Sequence, residues 1–238
     1  MNWQLDVKVI FAAFVISSVL TVGCQAQIYM SSQHNGRVAS MWRPISIFTA
    51  FILWIGLFPQ TASYYMEDKL ILGAIIFAFA INIFSFVLIR RNDIALRAFL
   101  LIAPIGVLYG SVAVLQKFVL PESNALPDAL TLAFFMYLFM SFFSLGAVIA
   151  KKRLTKELIS PRFIKAGLAI GSASAIAYIF ILLSFSTVVN PGFTSVIGML
   201  CPVWIMIYHK AIGIKDDASP WAGLLMILGA SLLAYATM

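Results

Sequence analysis

Long apolar runs separated by short charged loops constrain this chain more than any other feature of its sequence. Eight runs can be marked, each near the ~20 residues that a helix needs to cross a bilayer. Six cover about 6–26, 44–62, 69–90, 95–117, 128–150 and 165–188. The seventh opens at Asn190-Pro191-Gly192, carries Pro202 near its middle and ends at Tyr208-His209-Lys210. The eighth starts at Ser219-Pro220 and reaches the C-terminus. The runs are continuous rather than alternating, which favours helices over an outer-membrane barrel. The expected class is therefore all-α, a polytopic membrane bundle of about eight transmembrane helices.

Charge supports this class. Only 11% of the 238 residues are charged and 62% are hydrophobic, whereas a soluble domain carries about 25% charged residues. The basic residues then sort by loop. One set of alternate loops and their flanks holds Arg37 and Arg43, then Arg90, Arg91 and Arg97. It continues with Lys151, Lys152, Arg153, Lys156, Arg162 and Lys165, then Lys210 and Lys215. The opposite side has Lys8, Lys69 and Lys117. The positive-inside rule puts the first set in the cytoplasm and both termini on the non-cytoplasmic side. The net charge of +7 is thus a topology signal. No basic helix with interleaved aromatics is present to follow a phosphate backbone, so nucleic acid is not an expected partner; the lipid bilayer is.

The first run has some features of a secretory leader, with Val22-Gly23-Cys24 at its end. Lys8 is offset by Asp6, and Thr21 stands three before the cysteine, so a retained span is the expectation. Cys24 and Cys201 belong to no metal-ligand spacing and read as small apolar residues. His34 and His209 have no second ligand at metal spacing. The sequence holds no Ser-His-Asp set, no paired reactive carboxylates and no Gly-rich phosphate loop. No enzyme activity, metal or cofactor is expected.

The acidic residues carry a mechanistic hint. All nine, Asp6, Glu67, Asp68, Asp93, Glu122, Asp128, Glu157, Asp216 and Asp217, fall in or beside loops. A carboxylate inside a span is the usual proton or cation site, so carboxylate-linked proton antiport is not expected.

Polar residues inside the runs are the candidate solute ligands: Tyr109, Gln116, Lys117, Tyr137, Tyr178, Ser184, Asn190, Thr194 and Ser195, with Asn82 and Ser174 beside them. Each has a structural alternative. Serine and threonine hydroxyls bond to their own helix backbone, Lys117 can snorkel to the interface, and Asn190 can cap the helix that Pro191 begins. Gln116 and Lys117, at one helix mouth, suit an anionic or zwitterionic solute. Pro104 and Pro202 are mid-run prolines, either packing kinks or gating breaks. The pairs Gly106/Gly110 and Gly167/Gly171 suit close helix packing, within the chain or across a homodimer face.

Residues 95–238 also carry a resemblance. Val112–Leu132 ends one run with a lysine at its mouth and leads into the next. Ser184–Pro202 forms a hairpin into a helix with a central proline. Ala211-Ile212-Gly213-Ile214-Lys215 precedes Ser219-Pro220-Trp221-Ala222-Gly223-Leu224-Leu225. In this order they resemble the five-helix repeat of the drug/metabolite transporter superfamily, EamA-like branch. The resemblance implies a three-helix N-terminal half, 1–94, and a five-helix repeat, 95–238, within one membrane domain. It also implies alternating-access transport of a small polar metabolite across the inner membrane. The family usually has glutamate where Ile214 stands, and two five-helix repeats where this chain has three spans before the recognisable one. In an alternative division, the Asn92/Pro104 pair echoes Asn190/Pro202, which puts the fourth span in the first half. A rival reading is a non-transporting membrane subunit that assists a lipid- or polysaccharide-handling complex.

Overall fold

A computed structural model describes residues 6–33, 42–89, 96–120, 124–151, 160–198, 204, 207–208, 210–213 and 220–236. Every element among them is a helix. In chain order these are α1 (Val7–Gln33), α2 (Trp42–Leu57), α3 (Pro59–Glu67), α4 (Lys69–Ile89) and α5 (Leu96–Val119). They continue with α6 (Ala125–Ala150), α7 (Pro161–Thr187), α8 (Pro191–Ile197) and α9 (Pro220–Ala236). The all-α expectation holds. Four of the helices, α1, α5, α6 and α7, are long and apolar enough to cross a membrane. The bent pair α2–α3 makes a fifth if it is counted as one span, while α4 and α9 carry shorter apolar stretches.

The second expected span, 44–62, is not a single rod. The chain turns by 103° between α2 and α3. The cause is local. Phe58 N–H makes the last helical bond of α2, to the Trp54 carbonyl at 2.9 Å. Pro59 has no N–H with which to continue the ladder and restricts the residue before it to extended backbone. Phe58 accordingly sits at φ −128°, ψ 79°. Thr61 N–H then bonds to the Phe58 carbonyl at 2.9 Å and starts the new helix. Asp68 opens the next one, its Oδ1 accepting from Leu70 N–H at 2.8 Å and Ile71 N–H at 3.2 Å.

Pro104 behaves differently. It lies inside α5, which runs through it without ending. The seventh expected span is described only in part. It begins as α8, and Pro202 lies outside the described residues. Its far end is closed by Gly213, at φ +74°. Only glycine takes that left-handed conformation without strain, and it stops a helix there.

The chain divides into two compact units. One comprises Met1–Cys24 and Leu115–Thr187; the other comprises Gln25–Val114 and Val188–Met238. The division falls inside α1 and α5, so each helix contributes a part to each unit. This partition follows spatial compactness, whereas the division at 94/95 follows sequence likeness; one does not test the other.

In the first unit α7 packs against α6. Leu132, Met136, Leu182 and Phe185 are buried. Ser17, on α1, donates both to its own Ala13 carbonyl at 2.6 Å and to the Met136 carbonyl of α6 at 3.0 Å. Phe14 meets Phe139 and Phe143 edge-on, both at 5.5 Å. Residues 161–174 of α7 are all exposed.

In the second unit α9 lies along α4, and α8 along α2. Small residues set these approaches, because van der Waals contact replaces hydrophobic drive in lipid. A Cβ at Gly106 would come within 2.6 Å of the Ile45 Cβ, and one at Gly110 within 2.6 Å of the Ser46 carbonyl oxygen. A Cβ at Gly229 would reach the Ala78 carbonyl at 3.1 Å and collide with the Asn82 amide. The Gly106/Gly110 pair therefore packs within the chain. Gly167 and Gly171 do not pack against any described residue, since none lies within 4 Å of either added Cβ.

Candidate functional site

Most of the expected solute ligands fall into two clusters, one in each unit; Tyr109, Asn82 and Ser174 lie outside them.

In the first unit, Gln116 and Lys117 stand in the last turn of α5. Gln116 is buried, and its Nε2 donates to the Tyr178 hydroxyl of α7. That hydroxyl in turn donates to the Met136 sulfur of α6 at 3.9 Å. The Tyr137 and Tyr178 rings meet edge to face, with centroids 6.0 Å apart and planes at 81°. Cys24 of α1, in the same unit, is exposed. Lys117 points along α7, where its Nζ donates to the Ser186 carbonyl at 3.1 Å. Ser186 is next to last in α7, so its carbonyl is among those the helix leaves without an internal partner. A cation there also meets the negative end of the helix dipole. Lys117 is thus held at a helix end. Ser184 bonds to its own helix, at the Ile181 carbonyl, 2.7 Å away. Ser174 is exposed and stands apart from this cluster's contacts.

In the second unit the focus is Asn190, wholly buried at the break before α8. Its Oδ1 accepts from Gly192 N–H at 2.9 Å, which is an N-cap, with Pro191 at the first helical position. Its Nδ2 reaches the Phe51 carbonyl of α2 at 3.5 Å. Thr194 is buried one turn on, and Ser195 bonds back to the Pro191 carbonyl at 3.5 Å. The ring of Phe51 meets Phe193 at 5.8 Å, Tyr65 at 6.0 Å and Phe79 at 5.2 Å. Tyr65 also meets Phe193, at 6.0 Å.

Tyr109 lies in the same unit, in a different group. Its hydroxyl accepts from Gln27 Nε2 at 2.9 Å, and Trp42 meets its ring edge-on at 4.4 Å. The Arg43 guanidinium lies 5.0 Å from the Trp42 ring and donates to the Gly198 carbonyl at 3.0 Å. Asn82, between α4 and α9, donates to the Ala78 carbonyl at 2.8 Å, and its buried Oδ1 has no partner among the described residues.

Sequence reasoning missed Arg43, Tyr65, Met136 and Phe51 as members of these clusters. In the sequence Arg43 stands among the topology charges, and nothing there sets Tyr65 apart. Nothing in the sequence marks Met136 or Phe51 among so many apolar residues.

A scan of known protein-family models and a search of curated proteins each found no match to this chain.

Proposed function

We propose that this chain is a multi-pass transporter that moves a small polar metabolite by alternating access. The observation that carries this reading is the meeting of two chain breaks in the second unit. One is the turn at Phe58–Pro59. The other is the interruption at Val188–Asn190 between α7 and α8. The helices that follow them meet, Tyr65 of α3 against Phe193 of α8, while Asn190 reaches the Phe51 carbonyl in the body of α2 and the Phe51 ring packs on both. Interrupted helices expose backbone groups where solutes bind in many transporters. Buried polar side chains at such a break are expensive in lipid and favour a functional role.

The topology proposed with it has eight spans, both termini on the non-cytoplasmic face and the basic loops in the cytoplasm, in the inner (plasma) membrane. The likeness of residues 95–238 to the EamA-like repeat belongs to the same proposal. Transport runs as exchange or facilitated movement, because the carboxylates stand in loops or at the ends of the apolar runs and none stands mid-run. The accessory-subunit reading draws on α7, whose residues 161–174 are exposed and covered by no other described residue.

Counterflow in proteoliposomes tests the proposal. Vesicles loaded with members of a metabolite panel should accumulate the matching labelled solute faster than protein-free vesicles, with saturation. Absence of counterflow across the panel, together with a stoichiometric partner co-purifying from the native membrane, would overturn transport and favour the subunit.

A further inference from the structure

We propose that α3 lies in the plane of the membrane, at headgroup level, and that its Gln60–Ser63–Glu67 face binds the cationic end of zwitterionic phospholipid headgroups. This needs α2 and α4 to lie in a membrane; it does not need the chain to transport anything.

The turn at Phe58 sets the direction. α3 leaves the apolar α2 at 103°, close to a right angle. A helix that leaves a membrane-crossing rod at this angle runs along the surface. Its far end has the same address. Glu67, Asp68 and Lys69 stand in a row where α3 passes into α4, and all three are exposed. Charged side chains are expensive in the apolar interior of a membrane, so this end stays at the boundary with water.

The faces of α3 sort accordingly, since residues three and four apart are neighbours on a helix. Thr61 and Tyr65 turn inward and are buried, with Tyr65 against the Phe51 and Phe193 rings. Pro59 and Met66 form an exposed apolar flank, continuous with exposed Leu57 before it and Leu70 after it. Gln60, Ser63 and Glu67 form an exposed polar face. Tyr64, half-exposed beside it, is of the ring type that gathers at membrane interfaces. An apolar side and a polar side on one short helix make the pattern of a helix that lies in the interface.

The polar face favours a cation. Ser63 Oγ donates to its own Pro59 carbonyl at 3.5 Å, which leaves the hydroxyl oxygen to accept. The Glu67 carboxylate accepts only, and the Gln60 amide can do either. The face of the Tyr64 ring attracts ammonium groups. A zwitterionic headgroup brings its ammonium to these acceptors. An anionic headgroup meets Glu67 and Asp68, with Lys69 to offset only one of them.

The test starts from Cys24→Ser/Cys201→Ser protein, which has no other cysteine. Gln60→Cys, Ser63→Cys, Met66→Cys and Glu67→Cys are spin-labelled one at a time in phosphatidylcholine nanodiscs. Leu53→Cys and Leu57→Cys of α2 serve as the ruler. Collisions with oxygen and with a water-soluble nickel chelate give the depth of each label. The two α2 sites should differ by about 6 Å, at 1.5 Å per residue. Gln60, Ser63 and Glu67 should share one depth at headgroup level, with Met66 deeper. A difference of about 10 Å between Gln60 and Glu67 would mean that the span continues. Uniformly low nickel access would mean a re-entrant loop, and full water exposure at every site a helix clear of the membrane. Each of these overturns the proposal. For the headgroup, unfolding temperatures are compared in phosphatidylcholine and phosphatidylglycerol nanodiscs. The parent should lose about 1–3 °C more than Glu67→Gln on that change, because lipid effects elsewhere cancel between the two proteins. Equal losses would overturn the headgroup assignment. Level depths without counterflow leave α3 at the surface and remove transport; counterflow with a continuing span does the reverse.

Discussion

Arg43 Nη1 donates to the carbonyl oxygen of Gly198 at 3.0 Å, and a Cβ on Gly198 would sit 2.6 Å from that same nitrogen. The side chain of α2 thus closes the C-terminal end of α8 over a residue that has to be small. Gly198→Ala should displace the guanidinium from the carbonyl. The expected cost is about 1 kcal/mol, the scale of a helix-dipole contact, or a drop of about 2–4 °C in unfolding temperature for a chain of this size. Arg43→Gln should give at least that drop, since it also removes the contact with Trp42, and adding Gly198→Ala to it should cost little more, because the shared contact is already lost. Thermal unfolding in detergent measures all three.

The glycine pairs should respond in opposite ways. Gly110→Val forces a branched side chain into the Ser46 carbonyl and Thr49, at a cost of about 1–3 kcal/mol for overpacking. Gly167→Val and Gly171→Val meet open space and should stay within about 0.5 kcal/mol of the parent. Fluorescence-detected gel filtration after heating ranks the three. Equal losses at all of them would mean that α7 has a neighbour in the native assembly.

Asn190 has two jobs that substitution can separate. Asn190→Ala loses the cap and the reach to Phe51, costing about 1 kcal/mol or somewhat more. Asn190→Ser restores an N-cap oxygen but is too short for the Phe51 carbonyl. Serine should therefore recover the unfolding temperature. If Asn190 also contacts the solute, serine will not recover counterflow, and the gap between the two readouts is the measurement.

Lys117 should be more than a topology charge. Lys117→Met removes the donor at the Ser186 carbonyl and should lower stability by about 0.3–1 kcal/mol. It should also raise the KM for an anionic or zwitterionic solute. Lys117→Arg keeps the charge and should retain most of both. A purely structural lysine would shift stability alone.

Much of the fold is legible in apolar run length. α1, α4, α5, α6, α7 and α9 stand where runs of apolar residues stand, because a backbone in lipid has to satisfy its own hydrogen bonds. The turn at Phe58 is harder to read. Pro59 and Pro104 both sit among apolar residues, and a proline removes one hydrogen bond in either place. At Pro104 the helix continues on both sides. At Pro59 the following Gln60-Thr61-Ala62-Ser63 is polar enough to leave the run, and Thr61 and Tyr65 find buried positions by turning. Hydropathy averaged over a window erases that difference. The same limit applies to the candidate site. The cap at Asn190 is local and visible in Asn190-Pro191-Gly192. The contacts of Lys117 with Ser186 and of Gln116 with Tyr178 join residues 69 and 62 positions apart, and no local spacing signals them.

The early stop of α2 has a consequence for the surrounding lipid. Its 16 residues span about 24 Å at 1.5 Å per residue. The 17 residues of α9 reach about 25 Å by the same rise, and a hydrocarbon core is ~30 Å thick. Under the eight-span topology proposed above, the described lengths of α2 and α9 fall short of that thickness, a mismatch relieved by thinning the adjacent leaflets. On that topology, short acyl chains should gather beside α2 and α9.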